Sequence, residues 1–296
     1  MLKPLALALA MAASPVLAET VTIETALGSA EVPKSPQTIA VFDVTALDTL
    51  DALGVKADGV VSPHLVSYLD AAAEGATPVG TLFEPDYEAV AALAPDLIIA
   101  GGRSAAVVPD LAKIAPTIDM TARNDAVGEG LARLAAFGEI FDRQDEAGAL
   151  ADSFNAKLDA ARAAVAGKGG ALILMTNGPK VSAYGTAGRF GWLHNNLGIP
   201  EAVEAVEEAT HGEAISFEFI RDADPDILLV VDRLAATGQE GDSAEATLDN
   251  ALVHETKAWQ TGKVIYLDPG RLYITGGGIQ AMSHILDQIT AAFAES

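Results

Sequence analysis

The chain contains the same short sequence pattern twice, and this duplication limits the folds open to it. The copies run from Glu88 to Arg103 and from Glu218 to Arg233, 130 residues apart. In each copy a glutamate precedes a proline by seven residues, and an arginine follows the next aspartate by seven more. Each copy predicts a short helix that ends at the proline and then an apolar strand buried on both faces of a parallel sheet. The duplication therefore predicts two lobes of α/β architecture.

Arginines stand where ligands bind in sheets of this kind. Arg103 and Arg233 each follow the carboxyl end of a predicted parallel strand, the edge at which open α/β sheets hold their ligands. Arg189 lies in the stretch Gly185–Trp192, which joins a predicted strand to a predicted helix at 188–197, and this places it at the same edge of the second lobe. The alternative is that Arg103 and Arg233 are solvated loop residues. We expect the three arginines to converge on one inter-lobe cleft that binds an anion.

The predicted fold class is α/β, with two lobes of mainly parallel sheets joined by a single long backbone helix. A chain of 296 residues is long for one core and sufficient for two. We expect an N-terminal lobe at 19–144, the inter-lobe helix at 145–166 and a C-terminal lobe at 167–296. The helix is predicted from an apolar stripe between Leu150 and Val165, and at 1.5 Å per residue it spans about 30 Å.

The amino-terminal residues 1–18 have the features of a secretory signal peptide. Lys3 precedes an apolar run rich in Leu and Ala, and a small-residue cleavage site ends at Ala18. No later stretch reaches membrane-spanning length. The chain has no cysteine, which excludes a disulfide, a thiol nucleophile and a lipidated cysteine. We therefore expect a soluble, non-lipidated protein of the periplasm.

The charge balance limits the partners. The sequence has 18 Lys and Arg against 41 Asp and Glu, a formal net charge of −23. This balance argues against nucleic acid or an anionic membrane surface as partner. If the ligand is an anion, the scarce arginines must be concentrated where it binds. The alternative is that the acidity only keeps an exported protein soluble.

Two further residues could bind a metal in the cleft. His211 lies in a loop just before the second copy of the pattern, and Tyr273 precedes three consecutive glycines at 276–278. Glycines at the start of a helix expose backbone N–H groups and favour a nearby anion. A lone histidine is ordinarily structural or solvated. Together, however, an imidazole nitrogen and a phenolate oxygen are ligands suited to Fe(III).

Enzyme signatures are missing from the sequence. The other histidines lack the spacing of a zinc site, and there is no Gly-x-Ser-x-Gly, Walker or dinucleotide motif. We therefore expect no enzymatic activity and no intrinsic cofactor. Two alternatives stay open: a haem-binding periplasmic protein with Tyr273 or His211 as axial ligand, and a metal-dependent periplasmic hydrolase.

Four stretches carry a resemblance to a known family: Ser182–Gly191, His211–Ser216, Val230–Arg233 and Tyr273–Gly278. Together they are similar to the periplasmic siderophore-binding proteins of ABC importers. The resemblance is strongest to the catecholate branch, which includes petrobactin- and enterobactin-type binders. It covers nearly the whole mature chain and implies the class III fold, in which one long helix joins two α/β lobes.

The resemblance also implies roles for the candidate site residues. The anionic catecholates would be held by Arg103, Arg189 and Arg233. The coordination of Fe(III) would be completed by His211 and Tyr273 when the siderophore leaves positions open. The ligand would be a ferric siderophore, carried as cargo rather than as a cofactor.

The resemblance further implies a transporter as partner. Glu88 and Glu218, one in each lobe, would dock on basic residues of an ABC permease in the inner membrane, and the protein would act as a monomer. In one respect the chain departs from the family. Many relatives carry a lysine in the loop after the second strand, whereas this chain has Val61-Ser-Pro-His64. This departure lowers the positive charge expected on the first-lobe side of the pocket.

Overall fold

The computed structural model describes residues 19–122, 125–203, 206 and 212–294. The predicted signal peptide and His211 lie outside these described residues. Across the described ranges, no helix is both long enough and apolar enough to cross a membrane.

An antiparallel hairpin and a five-stranded parallel sheet form the first lobe. The hairpin pairs β1 (Thr20–Thr25) with β2 (Gly28–Pro33). The sheet consists of β3 (Ile39–Val41), β4 (Gly59–Val60), β5 (Thr77–Pro78), β6 (Leu97–Ala100) and β7 (Thr117–Asp119). Its spatial order is β5-β4-β3-β6-β7, and every pairing is parallel. The order reverses between β3 and β6, so a crevice opens at their carboxyl ends.

A second five-stranded sheet forms the other lobe. Its strands are β8 (Ala171–Asn177), β9 (Lys180–Tyr184), β10 (Glu213–Ile215), β11 (Ile227–Asp232) and β12 (Val264–Tyr266). Their spatial order is β10-β9-β8-β11-β12; β8, β11 and β12 are parallel, while β9 and β10 pair antiparallel. Only Gly178 and Pro179 separate β8 from β9, and so short a connection can join only antiparallel strands. The two-lobed α/β fold is thus confirmed, with a mixed second sheet.

Helices cover the sheets. They are α1 (Val44–Ala52), α2 (Asp70–Ala73), α3 (Tyr87–Leu93), α4 (Val108–Leu111), α5 (Ala126–Phe141), α6 (Gln144–Val165), α7 (Trp192–Asn195), α8 (Phe217–Ala223), α9 (Arg233–Thr237), α10 (Ala244–Leu248), α11 (Ala251–His254), α12 (Lys257–Gln260) and α13 (Ile279–Ala294). Short 3-10 segments occupy Ser67–Leu69 and Gly102–Val107, and a π-helical segment occupies Gly270–Ile274.

The duplicated pattern folds in the same way in both lobes. The first copy forms α3 and β6, and the second forms α8 and β11. Ala94 and Asp224, which precede the prolines, have positive φ angles of 50° and 40°, outside the right-handed helical region that a following proline disfavours. The carboxylates of Asp96 and Asp226 then accept hydrogen bonds from backbone N–H groups just before β3 and β8. The shared prolines and aspartates therefore align each buried strand with its neighbour.

The helix α6 corresponds to the predicted inter-lobe helix. It has 22 residues, which gives it a length of about 33 Å, and it buries Phe154, Leu158 and Ala161. The helix packs against α5 and α13, and α13 also packs against α1. The last helix therefore returns to the first lobe. The division of the chain into lobes at 19–144 and 167–296 stays a prediction.

A buried carboxylate on α1 holds the start of α13. Asp48 accepts hydrogen bonds from the backbone N–H groups of Gln280 (2.9 Å) and Ala281 (3.0 Å) and from the Tyr68 hydroxyl (2.6 Å). A Cβ atom on Gly278 would lie 2.4 Å from an Asp48 oxygen, so glycine permits the close approach. Burial raises the pKa of Asp48 to about 7, although the hydrogen bonds from Tyr68, Gln280 and Ala281 act in the opposite direction.

The raised pKa of Asp48 predicts a pH-dependent stability. Because the folded pKa of about 7 lies above the ordinary aspartate pKa of 3.8, the contribution of Asp48 is fully present below about pH 4 and is lost as the pH rises through about 7. Asp48→Asn cannot ionise. The melting temperature of the natural chain should therefore fall relative to that of Asp48→Asn between about pH 4 and pH 8.

Thermal unfolding followed by circular dichroism measures this difference. Asp152→Asn, an exposed change on α6, serves as the control and should leave the melting temperature unchanged relative to the natural chain at every pH. A constant difference between the natural chain and Asp48→Asn across the range would contradict the prediction.

Candidate ligand-binding site

A cavity of about 470 Å³ lies between the two lobes. The first lobe lines it with residues that follow β3, β6 and β7 and with one face of α5, and the second lobe lines it with 186–189 and Trp192. Residues of the 270–276 segment complete the wall. On the first-lobe side the cavity therefore sits at the carboxyl ends of the parallel strands β3, β6 and β7, whereas on the second-lobe side its lining follows the antiparallel strand β9.

The three predicted arginines surround the side chain of Tyr273. The guanidinium carbons of Arg189, Arg103 and Arg233 lie 4.2, 5.3 and 5.9 Å from the centre of its ring. Arg233 donates from Nε to the phenol oxygen (3.2 Å), whereas Arg103 and Arg189 each donate from Nη2 to the Tyr273 backbone carbonyl (2.9 and 2.6 Å). The structure thus brings four of the predicted site residues together from both lobes.

Local backbone geometry directs Arg103 toward the cleft. Gly101 follows β6, and a Cβ atom there would lie 2.6 Å from an Asp43 oxygen and 3.0 Å from the Met120 backbone. Gly102 then adopts a φ of 54°, which glycine accepts without strain. The chain turns into the 3-10 segment at this point. Arg103 also donates from Nη1 to the Ile274 backbone carbonyl (3.2 Å), so the turn places it across the cleft.

Arg189 lies in a series of tight turns. The predicted helix at 188–197 is wrong at its start, because α7 begins only at Trp192. A Cβ atom on Gly191 would lie 2.0 Å from the Thr186 carbonyl oxygen, so the turn closes too tightly for a helix to begin earlier. Phe190 is buried against Tyr184, with ring centres 4.7 Å apart. Arg189, beside this anchor, is consequently exposed to the cleft.

The three glycines before α13 have a structural role rather than the predicted role in binding a ligand anion. We expected their backbone N–H groups to favour a ligand anion. Instead, the N–H groups at the start of α13 donate to Asp48, so the protein supplies its own carboxylate there. Gly130 of α5 also allows close packing here, because a Cβ atom on it would lie 2.7 Å from the Gly277 carbonyl oxygen. The glycines therefore fix the segment that carries Tyr273.

The electrostatics of the cluster favour negative charge. Partial burial raises the pKa of Tyr273, but the hydrogen bond from Arg233 and the charges of Arg189, Arg233 and Arg103 outweigh it and bring the pKa below its ordinary value. Although Arg189 is exposed to the cleft, the surrounding protein atoms displace part of its water, and this partial desolvation, followed by the charge of Arg103, lowers its pKa. Like charges this close repel one another, so an anion in the cleft would stabilise the cluster.

The sequence did not reveal Arg133. This residue of α5 lines the cavity and is only 9% exposed. It lies on the buried face of its helix together with Gly130, Leu134 and Phe137. A charged residue within an otherwise apolar helical face is the signal that could have identified it.

The remaining predicted residues lie elsewhere. Glu88 and Glu218 are exposed in the first turns of α3 and α8, and neither lines the cavity. His64 lies in the loop after β4, and its Nε2 lies 3.3 Å from an Asp70 carboxylate oxygen. His211 lies outside the described residues, so its distance from Tyr273 stays untested.

Residues 39–270 match the periplasmic binding protein family. The chain belongs to this family. It is 35% identical over 264 residues to the petrobactin-binding protein YclQ of Bacillus subtilis, covering 88% of this chain and 83% of that one. It is 32% identical over 286 residues to the ferric-anguibactin-binding protein FatB of Vibrio anguillarum, covering 92% and 87%.

A solved structure of this family has the same fold. The periplasmic catecholate-siderophore binding protein VctP of Vibrio cholerae superposes with a TM-score of 0.85 at 31% sequence identity. The similarity covers 94% of this chain and all of VctP, 100%. It therefore extends over both lobes and over α6.

The arginine cluster predicts an unusual phenol titration. Tyr273 should ionise at lower pH than free tyrosine, because three guanidinium groups stabilise its phenolate. Ultraviolet absorbance of phenolate against pH should show one early step. That step should be missing in Tyr273→Phe and should move to higher pH in Arg233→Met, which removes the donor to the phenol oxygen.

Tyr87→Phe is the matched control, because Tyr87 is an exposed tyrosine at the start of α3. This variant should keep the early step. If Tyr273→Phe titrates like the natural chain, the electrostatic account of the cluster is wrong.

Proposed function

We propose that this chain is a periplasmic substrate-binding protein that captures a ferric, catecholate-type siderophore in its inter-lobe cleft. It delivers that complex to an ABC permease for iron uptake, and it performs no catalysis. The observation that carries the proposal is the convergence of Arg103, Arg189 and Arg233 on Tyr273. Support also comes from the relatives, whose names specify binding of petrobactin, ferric anguibactin and catecholate siderophores.

Electrostatic complementarity explains why such a cleft suits a ferric catecholate. The complex carries several negative charges, delocalised over phenolate oxygens, and each guanidinium group can donate to them. A hydrogen bond to a charged group contributes about 1.5–3 kcal/mol. Three of these contributions total about 4.5–9 kcal/mol before the cost of association, which corresponds at best to a sub-micromolar dissociation constant. Packing of the ligand in the cleft must therefore add to them.

Direct contact with the metal is a second part of the proposal. A phenol whose pKa is lowered loses its proton more readily, and phenolate is a good ligand for Fe(III). Tyr273 and His211 would coordinate the ion only when the siderophore leaves positions free. They would therefore favour tetradentate over hexadentate complexes.

The proposal includes the route of the cargo. An exported, non-lipidated monomer would present Glu88 and Glu218, each exposed at the start of a helix in its own lobe. Matching basic residues on the two halves of a permease could pair with them. The two glutamates occupy the same position in the two copies of the duplicated pattern, one in each lobe, and this symmetry supports pairing with the two halves of a permease.

Binding measurements test the proposal. Arg189→Met and Arg233→Met should each weaken binding of ferric bis-catecholate and tris-catecholate complexes by roughly tenfold or more, because each removes a charge-assisted donor. Tyr273→Phe and His211→Ala should weaken the bis-catecholate complex more than the tris-catecholate one. Quenching of intrinsic fluorescence during titration measures the affinities.

Arg143→Met, which changes an exposed arginine between α5 and α6, is the control and should bind as the natural chain does. Equal losses of both complexes in Tyr273→Phe would reject direct coordination. A Soret shift with hemin, together with no response to ferric catecholates, would favour the haem alternative instead.

Iron uptake tests the docking residues separately. Glu88→Lys and Glu218→Lys should greatly reduce siderophore-dependent growth or uptake of radioactive iron, because each reverses a charge that would face the permease. Their affinities for the ferric ligand should be unchanged, since neither residue lines the cavity. Glu146→Lys, an exposed change on α6, is the control. Normal uptake by the double variant Glu88→Lys/Glu218→Lys would contradict the proposal.

A further inference from the structure

Arg133 is a buried cation on the first-lobe wall of the cavity, separate from the cluster around Tyr273. It projects from α5, is only 9% exposed and lines the cavity beside Asp43. Placing a guanidinium group so far from water is costly unless its donors are satisfied. The partners of Arg133 therefore indicate what the site still lacks.

The hydrogen bonds of Arg133 are incomplete. Its Nη2 lies 3.7 Å from a Glu129 carboxylate oxygen, which is too long for a good hydrogen bond. Its Nη1 is buried and has no hydrogen-bond acceptor among the residues that the structure describes. An unsatisfied buried donor destabilises the protein, and more so when it is charged. A ligand that fills the cavity could supply the acceptor.

The charge of Arg133, in contrast, is already balanced. Burial lowers the pKa of Arg133, while the negative charges of Asp43, Glu129 and Asp119 act to raise it. Asp43 is 8% exposed, caps α1 by accepting from the Thr45 N–H, and also lines the cavity. What the site lacks is a hydrogen-bond acceptor rather than a negative charge. A second anion here would meet the carboxylates of Asp43 and Glu129.

We infer that Arg133 and Asp43 form a subsite for a neutral amide group of the ligand, the group that would link its catechol rings to the backbone. The amide carbonyl accepts from Arg133 Nη1, and the amide N–H can donate to Asp43. This inference rests on the proposed function and extends it. The cleft then separates two tasks: the cluster around Tyr273 binds the anionic phenolates, and Arg133 with Asp43 recognises the uncharged linker.

Three ferric ligands isolate the contribution of the amide. The first is a bis-catechol joined through two amides. The second is an alkane-linked bis-catechol of equal linker length, which keeps both catechols and removes the amides. The third is the amide-linked ligand with a carboxylate added to the linker. Fluorescence titration gives the affinity of each iron complex for the natural chain, Arg133→Met and Arg133→Lys.

We expect Arg133→Met to weaken the amide-linked complex by roughly tenfold more than the alkane-linked complex, because only the former uses the lost donor. Loss of the positive charge beside Asp43 and Glu129 weakens both anionic complexes. Arg133→Lys keeps a donor without its forked geometry and should lie between the natural chain and Arg133→Met. The added carboxylate should bring no gain in affinity. Continued binding of the alkane-linked complex also shows that the variant has folded with an intact cleft.

The possible results separate this inference from the proposed function. If the natural chain binds none of the three complexes, the proposed function fails. If the natural chain binds all three complexes, and Arg133→Met weakens the amide-linked and alkane-linked complexes by the same factor or weakens neither, the subsite is overturned and the function stands. If the carboxylate-bearing complex binds the natural chain most tightly and loses the most affinity in Arg133→Met, the subsite binds an anion rather than an amide. Should Arg133→Met not fold, Arg133→Lys is judged on the same pair of complexes.

Discussion

Everything about the cleft depends on holding three like-charged guanidinium groups against one tyrosine. Arg103 comes from the first lobe, Arg189 and Arg233 come from the second, and mutual repulsion would separate them in water. The Tyr273 backbone carbonyl accepts from two of them and its phenol oxygen accepts from the third, while its ring offers a negative face to all three. The protein thus keeps positive charge concentrated in a chain with a formal net charge of −23.

That cluster is only as rigid as the segment carrying Tyr273. The segment continues into α13, and the buried carboxylate of Asp48 caps the start of that helix and links it to α1. Gly278 allows the backbone to approach Asp48 on α1 closely enough for this contact, and Gly130 of α5 allows the Gly277 carbonyl to approach that helix. The packing of α13 on both α1 and α6 joins the first lobe to the wall of the cleft. Stability and ligand recognition therefore share the same contacts.

Local sequence signals predicted much of this architecture and little of its central contact. The prolines and aspartates of the duplicated pattern act over a few residues, so they gave β6 and β11 and placed Arg103 and Arg233 at the proper sheet edges. The contact between Arg103 and Ile274 joins residues 171 positions apart, and the periodicity of the sequence cannot predict a contact over such a distance. Asp48 was missed for the same reason, because it lies on an ordinary helix and gains its role from distant neighbours. Arg133, in contrast, carried a local signal, a charge within the apolar face of α5. The second sheet is mixed because only two residues join β8 to β9, and a prediction based on alternating strands and helices does not anticipate this short connection.

The most direct test of the account is a crystal structure of the protein with a ferric bis-catecholate complex, with the iron located by its anomalous scattering. The account predicts that the iron lies in the inter-lobe cavity and that catecholate oxygens lie within hydrogen-bond distance of Arg103, Arg189 and Arg233, from both lobes. An iron complex bound outside this cavity, or one contacted by the arginines of a single lobe, would contradict it.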